Sequence, residues 1–478
     1  MAIRPKLPSR GRIILRAVNW LYLNGILPVC QPAQYRGLAA EMHKQEAFER
    51  RSLAENQETQ WQSLTRLLKH AYDTTPFYRQ RFDAAGISPQ QFSSPQDLQK
   101  LPALTREDLR LHQDDLWSRV YQREMLPGAA TGGTTDIPVP LLRSPESLLK
   151  KSAVHLRFNS WAGMWPGDKI LYLWGARIDF AQTPSWRWKL YDRYINRRVW
   201  APASLLNEQI LESFRQLLNQ FRPRIIYAYP TPLAHFAEYL RDCGRAFHHP
   251  VSAICTAEPV LDHQRQVIEQ VLGCRVFEMY GSRESGMIAA QCEYGQGLHL
   301  NPHAAYLEFV PLEGEGPDGV HEIFITDLLN YGMPFIRYKI NDCALLSAQT
   351  CKCGRGYPVL AKIIGRTADM FLLPNGDRVP GVTLHRLIAE DCPEFKKLQI
   401  IQDTLCDFRV RFVPGSNFQQ PDLSLLTKRL GQRFGSSLRW TFEQVADIER
   451  ERSGKTRFCI SHVSSSQVLP QAVTQETR

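Results

Sequence analysis

Cys351 and Cys353 stand one residue apart, where two thiols do not easily bond each other but can both face one tetrahedral metal ion. Cys292 and His299 would complete a Cys3His set of the kind that holds zinc, although the spacing is not that of a zinc finger. Unligated thiols beside an unrelated histidine are the plain alternative. Thr131–Thr135 (Thr131, Gly132, Gly133, Thr134, Thr135) can cradle a phosphate, because its glycines let backbone N–H groups turn toward an anion and its threonines add hydroxyl donors. No Gly-Lys-Ser/Thr follows at the required spacing, which excludes a P-loop. Tyr280, Gly281 and Glu284 in YGSRE offer a stacking face, a close backbone approach and a charge that attracts a metal. Asp342 in RYKIND can accept hydrogen bonds from a ribose diol. Arg366 and Asp369 in GRTAD supply a cation that can reach a phosphate and a carboxylate, and Lys455 sits on the flexible Ser453–Gly454 turn. Taken singly, each of these is as readily a surface turn or a solvated charge.

The elements that must position them are legible in the apolar pattern. Three strand-like runs, Arg224–Pro230, Val251–Ala257 and Arg275–Gly281, are separated by helix-like segments, which argues for parallel pairing through right-handed crossovers. Ligands of such sheets bind beyond the carboxyl ends of the strands, so Tyr280–Glu284 is expected at a binding edge. Lys169–Gly175 reads as a buried strand and Gln60–Tyr72 as an amphipathic helix. Ala304–Val310 and Glu322–Asp327 read as strands joined by a turn rich in Gly, Glu and Pro. The character changes near Gly365, so residues 1–365 form one domain with a helical extension over 1–50, residues 366–463 a second, and 464–478 a polar tail expected to be disordered. Trp161, Trp165, Tyr172 and Trp174 are as readily core as the wall of a ligand pocket.

The net charge of +10 is spread along the chain with no run of five Lys or Arg, which argues against a nucleic-acid platform. Eleven cysteines, most of them single, point to a reducing cytoplasmic location rather than a disulfide framework. Residues 1–16 hold five cations and no acid, followed by an apolar run too short to span a bilayer and interrupted by Asn19 and Asn24. A helix docked on the body, with weak contact to a membrane surface through the basic end, is the expectation. The oligomeric state is left open, a homodimer among the options.

In their order along the chain these motifs resemble the adenylate-forming ligases, in particular the phenylacetate–CoA ligase-like group that includes capsular-polysaccharide biosynthesis proteins. The likeness runs from HAYDTTPFYRQRF at His70 to SGKTR at Ser453. It implies an α/β fold: a large N-terminal domain with parallel and mixed sheets, and a small mobile α+β C-terminal domain. It implies attack of a carboxylate on MgATP to give an acyl-adenylate, then transfer of the acyl group to a thiol, coenzyme A. By the same resemblance Thr131–Thr135 holds the phosphates and Ala257, Glu258, Pro259, Tyr280 and Gly281 line the adenine. Asp342 binds ribose, Arg366 contacts the nucleotide, Glu284 holds Mg2+, Lys455 bridges carboxylate and α-phosphate, and Asp369 is the hinge. Cys292, His299, Cys351 and Cys353 match the group's zinc site. Asp136 and Ile137 stand where the group's phosphate loop commonly continues Gly-Lys-Pro. That departure and residues 1–30 keep open a degenerate zinc-stabilised binding protein, and the capsular-type resemblance with the basic N-terminal extension keeps open an acyl acceptor that is an amine or a sugar.

Overall fold

The computed structural model describes residues 17–30, 35–130, 140–174, 186–203, 207–311, 320–347, 349–366, 370–375, 378–392, 394–415, 418, 421–448 and 457–463. Among these residues eleven strands make one sheet. From one edge they are Arg198–Pro202, Ile170–Trp174, Ile225–Ala228, Ser252–Cys255, Arg275–Ser282, Gly286–Gln291, Leu298–Leu300, Val359–Arg366, Tyr338–Leu346, Val320–Asp327 and Ala305–Pro311. The first five pair in parallel and the remaining contacts are antiparallel. Strand Arg275–Ser282 therefore belongs to both halves, and the expected ligand edge is the seam between them.

The parallel half follows from sequence. Its short runs are buried on both faces, and helices Glu208–Phe221, Pro230–Cys243 and Asp262–Leu272 cross over between them. The run beginning at Arg224 ends as a strand at Ala228 because Pro230 pre-sets the first turn of the following helix. The expected Gln60–Tyr72 helix is longer, Leu53–Thr74. Ser52 and Glu55 close a capping box at its start, and Pro76 disfavours helical geometry at Thr75. RYKIND is not a turn: Asp342 lies inside strand Tyr338–Leu346.

A second unit follows. Strands Arg439–Gln444, Asp407–Pro414, Phe395–Gln402 and Cys459–Ser461 form a four-stranded sheet, backed by helices Gly381–Asp391 and Leu423–Phe434. Its core, around Phe371, Ile388, Ile400, Phe408 and Leu426, is a separate apolar cluster. The architecture is thus α/β, with a large mixed sheet and a smaller α+β unit.

The N-terminal segment packs as helices. Helix Leu38–Glu49 lays Leu38 and Met42 on Ala153 of helix Pro145–Trp161. At its end the Glu49 carboxylate is 5% exposed and accepts from Arg157 Nε at 2.5 Å and Nη2 at 2.8 Å, Trp161 Nε1 at 3.2 Å and Arg355 Nε at 3.3 Å. Four donors on one buried carboxylate compensate its lost hydration. Next to it, Asn56 donates to the carbonyls of Phe48 at 3.0 Å and Gly356 at 2.7 Å, while its Oδ1 meets His303 Nε2 at 2.8 Å.

Two outcomes follow from this packing. A Cβ on Gly356 would lie 2.0 Å from the Arg51 carbonyl oxygen, so Gly356→Ala should lower stability by about 2 kcal/mol through forced backbone displacement, read by urea unfolding. Burial pushes His303 and His385 from 6.5 down to about 4, so both are neutral when folded. The unfolded chain binds more protons between those values. Stability should therefore be full above pH 6.5 and fall as pH drops toward about 4; because burial also pushes His155 down to about 4, a urea midpoint that slopes less across that window in a His303→Gln/His385→Gln background than in the native chain is the expected result.

Candidate functional site

Tyr280, near the end of the fifth parallel strand, is 8% exposed, and its hydroxyl donates to Asp342 Oδ2 at 2.8 Å. The strands carrying them are four steps apart in the sheet. In a flat sheet that spacing would be about 19 Å, beyond the reach of any tyrosine. The antiparallel half must therefore curl on itself, and its inner side chains, among them Ile288, Leu298, Leu300, Ile323, Ile325 and Ala344, form one cluster with Tyr280. Register shifts between Tyr280/Gly281, Glu322/Phe324 and Cys343/Ala344 mark the bulges that add to the bend.

The sequence-predicted residues collect at this seam. The parallel register Cys255↔Glu278 makes Ala257 level with Tyr280 two residues on. Ala257 holds φ 72°, a left-handed conformation uncommon for a residue with a Cβ. Glu258 anchors this turn, accepting from Thr231 Oγ1 at 2.8 Å, and Gln264 Nε2 donates to the same hydroxyl at 3.2 Å. Pro259 follows directly. Gly281 must be glycine, since a Cβ would lie 2.4 Å from the Gly286 carbonyl oxygen. The Ser285 N–H donates to Ser282 Oγ at 3.0 Å and closes the turn that carries Glu284. Asp342 is paired across the ladder with Arg366, the last residue of its strand. Thr131–Thr135, Asp369 and Lys455 lie outside the described residues.

Three residues of this site are absent from the sequence reading. Arg143 Nη2 donates to the Arg283 carbonyl at 2.6 Å, and Lys151 Nζ donates to the Glu284 carbonyl at 3.1 Å and to Asp327 Oδ2 at 2.6 Å. Asp327 is wholly buried and also accepts from the Leu329 N–H at 3.0 Å. Burial lowers the Arg143 pKa, and the nearby Asp327 and Glu284 carboxylates oppose that shift. Two cations thus grip successive carbonyls of the Glu284 turn from outside the sheet. The only sequence signal was a lysine three residues before Val154 and seven before Phe158, on a helix face that is otherwise core.

Cys292, His299, Cys351 and Cys353 converge, with one ligand atom from each lying within 4.8 Å of all the others. Cys292 Sγ is 3.5 Å from Cys351 Sγ, and Cys353 Sγ is 3.4 Å from His299 Nε2. For metal–sulfur bonds of about 2.3 Å, tetrahedral geometry sets sulfurs about 3.8 Å apart, so the spacing fits one ion. The Tyr294 and Arg355 N–H groups donate to Cys292 and Cys353 sulfur at 3.4 and 3.5 Å. The Cys353 thiol is drawn down to about 2, first by the hydrogen bond from Cys292 and then by His299, while Cys292 is pushed up by the same shared proton and by burial. Arg355 ties the cluster to the body, pairing with Glu293 at 2.9 Å, reaching Glu49, and stacking over Trp161 at 4.5 Å.

Comparison with known proteins agrees with this layout. Residues 371–462 match the CapK C-terminal domain family. A phenylacetate-coenzyme A ligase of Pseudomonas putida is 30% identical over 314 residues, covering 64% of this chain and 69% of that protein. Protein CapK of Staphylococcus aureus is 24% identical over 371 residues, covering 77% of this chain and 81% of its own length. A 2-hydroxyisobutyryl-CoA ligase solved in its postadenylation state with R3-HIB-AMP superposes with a TM-score of 0.68 at 20% identity, over 86% of this chain and 91% of that one, and so shares the fold.

Lys151 and Asp327 make a buried pair, 11% and 0% exposed. Lys151→Met should strand the carboxylate and cost about 3 kcal/mol in urea unfolding, whereas Lys151→Met/Asp327→Leu should regain most of that loss. Equal stability of the single variant and the native chain would remove the pair from the account.

Proposed function

The chain belongs to the phenylacetate-coenzyme A ligase family, and from that premise we propose a two-step reaction for it. A carboxylate oxygen of the acid attacks the α-phosphorus of ATP, breaking its bond to the pyrophosphate leaving group and forming an acyl-adenylate. The thiol of coenzyme A then attacks the acyl carbon and AMP departs. The observation that carries the reading is the Tyr280–Asp342 hydrogen bond at the seam of the sheet, which places an aromatic face and an acceptor carboxylate side by side.

In this reading the Tyr280 ring lies against adenine, with Ala257, Glu258 and Pro259 along the base. Gly281 lets the nucleotide approach the backbone closely. Asp342 accepts from the ribose hydroxyls, and Arg366 at the ladder position opposite it adds positive charge. Thr131–Thr135 supplies N–H and hydroxyl donors to the β- and γ-phosphates. Lys455 draws the acid carboxylate and the α-phosphate together, offsetting the repulsion between two anions. Glu284 is the residue we assign to Mg2+, an ion that would neutralise triphosphate charge. Arg143 and Lys151 act as positioning residues, holding the Glu284 carbonyl turn in place. Residues 366–463 serve as a lid that turns about Asp369 between the two steps.

We further assign Cys292, His299, Cys351 and Cys353 to one structural zinc ion. Three thiols and an imidazole suit a borderline-soft tetrahedral cation, and four protein ligands leave no position open for substrate. Bound there, zinc would cross-link the 351–353 loop to the strand ends that flank the site. A reducing cytoplasm is the matching compartment, since all eleven cysteines are free of disulfides.

ATP–pyrophosphate exchange across a panel of aryl and short aliphatic acids should show turnover with at least one acid. Lys455→Ala should reduce it by about 1,000-fold, and supplying coenzyme A should convert the adenylate to a thioester. No exchange with any acid, or an unaffected Lys455→Ala, would sink the assignment. Metal analysis should return one zinc per chain, lost together with several degrees of Tm in Cys351→Ser/Cys353→Ser.

A further inference from the structure

Residues 17–30 are helical, with a π-type turn over Tyr22–Ile26. One face is spent on packing: Leu23 and Leu27 join Leu38, Met42 and Ala153, and Tyr22 lies against Gly167 and hydrogen-bonds Arg197. Arg197 belongs to the turn after helix Trp186–Tyr194, so the two helices are neighbours. Other apolar side chains of the two helices point outward. Trp20, Leu21 and Val29 on the first helix are 67%, 50% and 79% exposed, and Trp186, Leu190 and Tyr194 on the second are 68%, 46% and 65% exposed. Thirteen large hydrophobic side chains are strongly exposed among the described residues. Six of them fall on these two short helices, more clustering than scattered surface residues would give.

The two sequence stretches that carry these helices are rich in cations. Residues 1–36 contain Arg4, Lys6, Arg10, Arg12, Arg16 and Arg36 and no acid. The stretch Trp186–Arg198 contains Arg187, Lys189, Arg193, Arg197 and Arg198 and a single acid, Asp192. Asp192 is 2% exposed and is consumed internally, accepting from Arg198 Nε, from Asn196 Nδ2 at 2.7 Å and from Trp200 Nε1 at 2.5 Å.

We propose that this two-helix face docks on a membrane surface rich in anionic lipid headgroups. Exposed tryptophan and tyrosine beside leucine and valine suit the boundary between headgroups and acyl chains, where an amphipathic ring is favoured. The cations supply the attraction that such shallow burial lacks, at headgroups that carry the opposite charge. A second copy of the chain would fit less well, because isologous pairing sets the same cations against each other. None of the described helices is long and apolar enough to cross a membrane, so the attachment is peripheral. The face is independent of the nucleotide site and of its assignment.

Co-sedimentation of the full chain with vesicles tests it. Binding to phosphatidylcholine vesicles with about one-third phosphatidylglycerol should exceed binding to phosphatidylcholine alone by at least about tenfold. Raising salt from about 0.1 M to about 0.5 M should release the protein, a measurement that needs no variant. Trp20→Ser/Leu21→Ser/Trp186→Ser should weaken binding by about tenfold while ATP–pyrophosphate exchange stays at the native level. Equal binding to both vesicle types, absence of binding, or insensitivity to both salt and the variant would overturn the proposal. So would light scattering that shows a dimer in the native chain and a monomer in the variant, since the occupant would then be a second copy.

Discussion

A hydrogen bond from Tyr280 to Asp342 can form only if a sheet four strand-steps wide bends back on itself, and most of the site depends on that bend. The parallel half of the sheet needs no such curvature, because crossover helices cover it. The antiparallel half has its own interior, Leu298, Leu300, Ile323 and Ile325 among others, and closing around that interior removes apolar area from water. Bulges at four register shifts let the backbone follow. The strand Arg275–Ser282 belongs to both regimes, and at its end Gly281 turns the chain where no side chain would fit. Residues of the candidate site that belong to different halves are thereby brought to one edge by the same closure.

A second closure lies beside the first. The Cys292–His299 hairpin and the 351–353 loop are separated by more than fifty residues, yet their four donor atoms share one small volume. Arg355 connects that volume to Glu49, and Glu49 gathers Arg157 and Trp161 as well. Asn56 reaches Gly356 across 300 residues of sequence. Such long-range contacts carry a large ordering cost, which a dense set of charge-assisted hydrogen bonds to one buried carboxylate helps to offset. The N-terminal helices therefore brace the loop that holds the cysteines, and a metal ion there would stiffen the same joint.

The Glu284 turn shows how polar groups outside the sheet complete the arrangement. Its carbonyls face Arg143 and Lys151, and the Lys151 charge is balanced by a carboxylate with no access to water. Removing such a balance has consequences for stability before any for chemistry. Anchoring of the Ala257–Pro259 turn is similar in kind: Thr231, itself held by Gln264, donates to Glu258, and both lie within the first turn of a helix.

Local pattern by itself determined the parallel strands, their crossover helices and the cysteine pair, because apolar periodicity and turn chemistry act over a few residues. Ile225–Ala228, Ser252–Cys255 and Arg275–Ser282 lie within the runs read from sequence, or one residue beyond. Helix Leu53–Thr74 starts before the expected Gln60, since its capping box precedes the apolar stripe by several residues. Asp342, which sequence alone left open as a turn carboxylate, is a strand residue because its neighbours pair on both sides. Order along the chain indicated that Tyr280, Asp342 and the cysteines belong to one kind of protein. Only the tertiary structure decided that Tyr280 touches Asp342, that Lys151 and Arg143 hold the turn carrying Glu284, and that six apolar side chains of two neighbouring helices remain outside. Those outcomes depend on sheet curvature and helix packing between residues far apart in sequence, and no local pattern encodes such distances.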